Sequence, residues 1–114
     1  MHEMAVAENI ATIIEERLKD LRQKAEVKSI HLKIGRLTCV EPEALRLSFT
    51  VISKDTLLGN ASLLIESIPV TGKCKDCEKE FRLEEMDFAC PHCGSFRIDI
   101  KTGRELLIES FEIE

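Results

Sequence analysis

The chain has 114 residues, 44% of them hydrophobic and 32% charged, a formal net charge of −5, five cysteines and neither tryptophan nor tyrosine. That length bounds it to one main core, that balance excludes a disordered chain, and no apolar run reaches the ~20 residues that cross a bilayer. The acidic balance argues against a protein that works by neutralising nucleic-acid phosphates, and leaves metal cations and protein partners as the easier ligands.

In chain order, Met4 to Ala25 reads as a helix. Val6, Ile10, Ile13, Ile14, Leu18, Leu21 and Ala25 fall at helical spacing, with Glu15, Glu16, Arg17 and Lys19 facing water. Ser29 to Leu37 switches to alternation, Ile30, Leu32 and Ile34 inward and His31 and Lys33 outward, which predicts a strand. In "VEPEAL", Pro42 suits the first turn of a second helix and Glu43 complements its positive end; Leu45, Phe49 and Ile52 form its stripe, ending near Asp55. Gly59-Asn60 is turn chemistry, and "ASLLIESIPV" is a second strand closed by Pro69. After a Thr102-Gly103 turn, "RELLIESFEIE" is a third strand, with Leu107, Phe111 and Ile113 on one face.

Neither helix can bury its stripe alone, so the expected fold class is α+β: two helices on one face of a small three-stranded sheet. The cysteine-rich segment falls between the second and third strands. It is therefore an insertion, which divides the chain into residues 1–70 plus 99–114 and residues 71–98.

Within the insertion, "CKDC" and "CPHC" are two C-x2-C pairs spaced as in a zinc ribbon. Each pair folds its chain so that two thiolates converge, and two such knuckles complete a tetrahedron. Cys74, Cys77, Cys90 and Cys93 are the expected zinc ligands, and the metal supplies folding energy that so short a segment lacks. Phe81, Phe88 and Phe96 are expected to pack around the knuckles as a satellite core. "CPHC" also resembles the dithiol of a thiol oxidant, but Gly94 follows at once and no βαβ unit surrounds it. A nucleic-acid ribbon should be clearly basic, whereas acidic side chains slightly outnumber basic ones here. His92, inside the second knuckle, and His31 read as solvated residues, and Cys39 as a small buried hydrophobe.

No basic stretch followed by an apolar leader opens the chain, which places it in the cytoplasm, where thiols stay reduced and cysteines do not form a disulfide framework. The opening is "MHEM". A terminal amine, the His2 amide nitrogen and the His2 imidazole close fused five- and six-membered chelate rings, and the Glu3 amide or carboxylate adds a donor. Planar nitrogen donors of this kind suit Ni(II) or Cu(II), whereas Zn(II) prefers the closed thiolate set.

"MHEM", "IHLKIGRL", "EPEAL" and the two cysteine pairs together resemble the HypA/HybF family of nickel-insertion proteins for [NiFe]-hydrogenase maturation, over essentially the whole chain. The resemblance implies a non-enzymatic nickel metallochaperone with transported Ni(II) at Met1, His2 and Glu3 and a structural Zn(II). Residues 1–70 plus 99–114 become the nickel-binding domain and 71–98 the zinc-binding domain. The implied partners are a HypB-type GTPase and a hydrogenase large-subunit precursor, with urease as another client and with neither nucleic acid nor membrane; the chain itself is expected as a monomer or weak homodimer. The alternative is a zinc-ribbon adaptor that binds protein or nucleic acid without nickel traffic. A thiol oxidoreductase using Cys90 and Cys93 ranks last.

Overall fold

Helix α1 (Glu3–Asp20) is followed by strand β1 (Val27–Gly35), a short 3-10 turn (Arg36–Thr38) and helix α2 (Pro42–Ser53). Strands β2 (Ser62–Ile68), β3 (Thr71–Cys74), β4 (Glu80–Arg82), β5 (Ile98–Thr102) and β6 (Leu106–Ile113) complete the chain. This computed structural model describes residues 2–84 and 88–114. Two three-stranded sheets result, ordered β2-β1-β6 and β4-β3-β5. The expected α+β class, with two helices, a small three-stranded sheet and an inserted cysteine module, is the one observed.

The first compact unit comprises Met1–Leu32, Val40–Glu66 and Leu107–Glu114. Its core takes Val6, Ile10, Ile14 and Leu18 from α1, Ile30 and Leu32 from β1, Leu45 and Phe49 from α2, and Leu58 and Leu63 beyond it. Burying an aliphatic side chain of this size contributes ~1.5–3 kcal/mol, so these positions carry most of what offsets chain entropy. Helix α2 starts where the sequence places it: Pro42 occupies the first turn, and the Glu41 carboxylate accepts the Ala44 N–H at 2.6 Å as an N-cap.

Helix α1 stops at Asp20, short of the expected Ala25, and no glycine announces that stop. Arg22 takes the left-handed conformation (φ 55°). Its N–H donates to the Lys19 carbonyl and the Gln23 N–H to the Leu18 carbonyl, the paired bonds of a Schellman cap. Ile13 and Leu21, expected in the buried stripe, are 53% and 48% exposed.

The second unit comprises Lys33–Cys39 and Ser67–Leu106. Its sheet is antiparallel throughout, Gly72 standing opposite Phe81 on β4 and Ile100 on β5. A Cβ on Gly72 would lie 2.6 Å from Ile98 Cγ2, so glycine there lets the neighbouring side chain cross the strand. The expected Phe81, Phe88 and Phe96 cluster is not the core of this unit: Phe96 is 79% exposed and Phe88 is also exposed. Val70 and Leu83, both buried and joined through a 2.9 Å backbone bond, take that place. They lie just before β3 and just after β4, beside the sheet, whereas Phe96 sits in the turn leading to β5.

Strand β1 ends at Gly35 because the chain there meets the turn before β6. The Gly35 N–H donates to the Glu105 carbonyl at 2.7 Å, and a Cβ on Gly35 would stand 2.1 Å from the Gly103 carbonyl carbon. Past it, Cys39 caps the 3-10 turn with φ 58° and is exposed, correcting its expected burial: the left-handed turn points it away from the interior.

Candidate metal centre

Cys74 ends β3 and opens the first knuckle, while Cys90 opens the second. Both knuckles carry the same backbone wiring. The Cys74 N–H donates to the Lys79 carbonyl (3.0 Å) and the Glu78 N–H to the Cys74 carbonyl (2.9 Å). In the second, the Cys90 N–H donates to the Ser95 carbonyl (2.8 Å) and the Gly94 N–H to the Cys90 carbonyl (2.8 Å). The equivalent residues Glu78 and Gly94 are both left-handed, at φ 63° and 78°. Each leading sulfur also accepts a backbone N–H, from Cys77 at 3.5 Å and from His92 at 3.4 Å.

This wiring turns all four sulfurs to one point. The ligand atoms of Cys74, Cys77, Cys90 and Cys93 lie within 4.8 Å of one another, Cys74 to Cys93 at 3.6 Å and Cys77 to Cys90 at 3.7 Å. A tetrahedron with metal–sulfur bonds of ~2.3 Å has edges of about 3.8 Å, so the spacing is that of sulfurs sharing one ion. A disulfide would bring two of them to ~2.05 Å, and all five cysteines are free.

Charge points the same way. The Cys77 N–H leads the interactions that hold the Cys74 thiol down at about 6, favouring its thiolate. Cys93 receives the Ser95 N–H, yet the neighbouring Cys74, Cys90 and Cys77 sulfurs together with burial push it up to about 12. Four thiolates this close cannot all ionise without a cation among them. A divalent ion removes that obstacle, and the donor set is one of soft sulfurs suited to zinc.

One contact joining the knuckles was not foreseen from sequence. Asp76 accepts from the Ser95 hydroxyl and from Arg97 Nη1 (2.8 Å), and the Arg97 N–H donates to Ser95 Oγ at 3.0 Å. Being exposed, the Asp76–Arg97 pair contributes on the order of 0.5 kcal/mol. Its signal in the sequence is only an Asp inside one knuckle and an Arg just past the other. The left-handed Glu78, by contrast, costs about 1 kcal/mol relative to glycine. Glu78→Gly is therefore expected to raise the module's thermal midpoint while keeping its metal, measured by calorimetry with metal analysis; an unchanged or lower midpoint contradicts the strain.

The other predicted site residues lie in the first unit. Met1 falls outside the described residues. His2 is the exposed N-cap of α1 and makes no side-chain capping bond; its carbonyl accepts the Val6 N–H at 2.9 Å, the bond that starts the helix. Glu3 is buried, and one of its carboxylate oxygens accepts the Glu41 N–H at 3.0 Å, tying α1 to the start of α2. His31, half-buried on β1, pairs with Glu112 at 3.2 Å, and His92 is exposed outside the sulfur cluster. No helix is long and apolar enough to cross a membrane among the described residues.

Residues 1–113 match the protein family described as "Hydrogenase/urease nickel incorporation, metallochaperone, hypA". The hydrogenase maturation factor HypA of Desulfitobacterium hafniense (strain DSM 10664 / DCB-2) is 42% identical over 114 residues, covering 100% of this chain and 99% of that protein. The guanidine hydrolase-activating protein A of Synechocystis sp. is 35% identical over 113 residues, covering 98% and 94%. The solution structure of the Ni metallochaperone HypA from Helicobacter pylori superposes with a TM-score of 0.67 at 26% identity, over 99% of this chain and 97% of that one.

Proposed function

This chain belongs to the hydrogenase/urease nickel-incorporation metallochaperone family, and from that premise we propose that it carries Ni(II) at Met1, His2 and Glu3 while Cys74, Cys77, Cys90 and Cys93 hold a structural Zn(II). Residues 1–70 plus 99–114 serve as the nickel-binding domain and 71–98 as the zinc-binding domain. The ion goes to a [NiFe]-hydrogenase large-subunit precursor in the cytoplasm, with a HypB-type GTPase as partner. The chain catalyses no reaction of its own. A relative named for activating guanidine hydrolase supports a wider client range than hydrogenase and urease.

One observation carries this reading. Among the described residues, the one cluster of three or more metal-ligating side chains is the closed four-sulfur set. A closed set exchanges slowly and suits a structural ion, so a transported ion needs an open site elsewhere. The start of α1 offers one. The amide nitrogens of His2 and Glu3 precede the first helical hydrogen bond, so metallating them breaks none of the helix's own bonds. With the Met1 amine and the His2 imidazole they would form a nitrogen-rich donor set whose donors leave one at a time, which is what handing on an ion requires. The bond from Glu41 to a Glu3 oxygen favours donation through the Glu3 amide over its carboxylate.

Nickel titration of the full chain at several pH values tests the assignment. Imidazoles and α-amines as classes take up protons between about 6.5 and 8, so affinity is expected to fall as pH drops through that window. Affinity that does not change with pH overturns the nitrogen-donor site.

A further inference from the structure

Strand order β2-β1-β6 leaves β6 at an edge of its sheet, with one row of backbone donors and acceptors facing away from β1. Beside that edge, α1 and β6 line a groove of about 550 Å³. Ile13 of α1 and Leu21 at its C-cap stand over it, 53% and 48% exposed, with Phe111 and Ile113 of β6 half-buried below. Leu107, on the same strand, is 55% exposed. The helix stripe is thus wider than the sheet beneath it. One more strand on β6, at the usual ~4.8 Å spacing, would lie beneath Ile13 and Leu21 and cover them.

The charges say what that strand must be. Glu16, Asp20 and Glu109 line the groove with Arg17 as its one basic residue among the described ones. Leu106–Ile113 contains Glu109 and Glu112 and no lysine or arginine, so the edge carries only negative charge, which turns away an acidic neighbour and attracts a basic one. A second copy would bring two acidic strands of a net-negative chain together, which like-charge pairing opposes.

We propose that the α1–β6 edge is a docking surface for an extended, basic and apolar segment of a partner protein, which adds to the sheet as a fourth strand beside β6. Alternate apolar side chains fill the groove under Ile13 and Leu21, and the segment's lysines or arginines meet Glu16, Asp20 and Glu109. The surface uses neither metal site, so it stands or falls separately from the nickel reading.

Amide hydrogen exchange of the full, zinc-loaded chain tests it with a synthetic peptide alternating valine and lysine, against a counterpart alternating valine and glutamate. The lysine peptide is expected to protect amides of β6, with affinity that weakens as salt rises, and the glutamate peptide to leave them unchanged. Ile13→Lys and Leu107→Lys, both at exposed positions, are expected to weaken binding about tenfold or more. Leu47→Lys, at a still more exposed position on α2, should leave it unchanged. Equal binding of both peptides, protection outside β6 and α1, or concentration-dependent protection of β6 without peptide would each overturn the proposal, the last by showing a second copy as the occupant.

Discussion

Cys74→Ser is expected to release zinc and unfold the module, residues 71–98, while α1 and α2 stay folded. Cys74 is fully buried, and its sulfur faces Cys93 at 3.6 Å while taking the Cys77 N–H. A serine hydroxyl keeps the size but not the thiolate, and the three remaining sulfurs no longer close a tetrahedron. Little else holds the module. Among its described residues the buried aliphatic side chain is Leu83, backed by Val70 just before it, each worth ~1.5–3 kcal/mol, against the ~10–16 kcal/mol that structural zinc supplies to small domains. Metal analysis and amide spectra read the outcome: one zinc per chain lost, module signals collapsed, helix signals kept. Cys39→Ser, exposed and outside the cluster, should change neither. Zinc retained at full stoichiometry in Cys74→Ser would remove the four-thiolate assignment.

His2→Ala is expected to do the converse, lowering nickel affinity about a hundredfold, ~2.7 kcal/mol, with zinc content and thermal midpoint unchanged. His2 is exposed and its side chain makes no capping bond, so its removal costs the fold almost nothing. Deleting the imidazole opens the six-membered chelate ring and leaves only the five-membered rings of the backbone nitrogens. A short extension placed before Met1 should reproduce the loss by converting the amine to an amide. Glu3 is the poorer probe, because Glu3→Gln also weakens the bond to the Glu41 N–H and so disturbs how α1 meets α2. Calorimetric nickel titration decides: unchanged affinity in both His2→Ala and the extended chain removes nickel from the terminus and leaves the zinc module standing.

The periodic parts of this fold were legible from sequence because burial writes itself into spacing. Val6, Ile10, Ile14 and Leu18 announced α1, and alternation at Ile30, Leu32 and Ile34 announced β1. The four cysteines were legible for a different reason: metal geometry permits few spacings, and C-x2-C twice is one of them. What escaped depends on backbone conformation or on tertiary partners. Arg22 ends α1 in a conformation that glycine usually signals, so the stripe was read too far. Phe96 looked like core and is 79% exposed, since no pattern of its neighbours reports which way a turn faces. Cys39 was misplaced for the same reason, its left-handed turn being invisible in composition. Glu3 was read as a donor to metal, and its bond to Glu41 links residues far apart in the chain that only the folded core brings together.

The paired wiring of the knuckles has a consequence for how such a module can change. "CKDCEK" and "CPHCGS" share only their cysteines, yet their backbones make the same bonds at the same positions. The template that aims the sulfurs is therefore written in amide and carbonyl groups, and the side chains of Lys75, Pro91 and His92 stand outside it, exposed. The surface around the four sulfurs can be rewritten, in charge or in shape, without moving a sulfur. One sulfur cage can thus present many different faces.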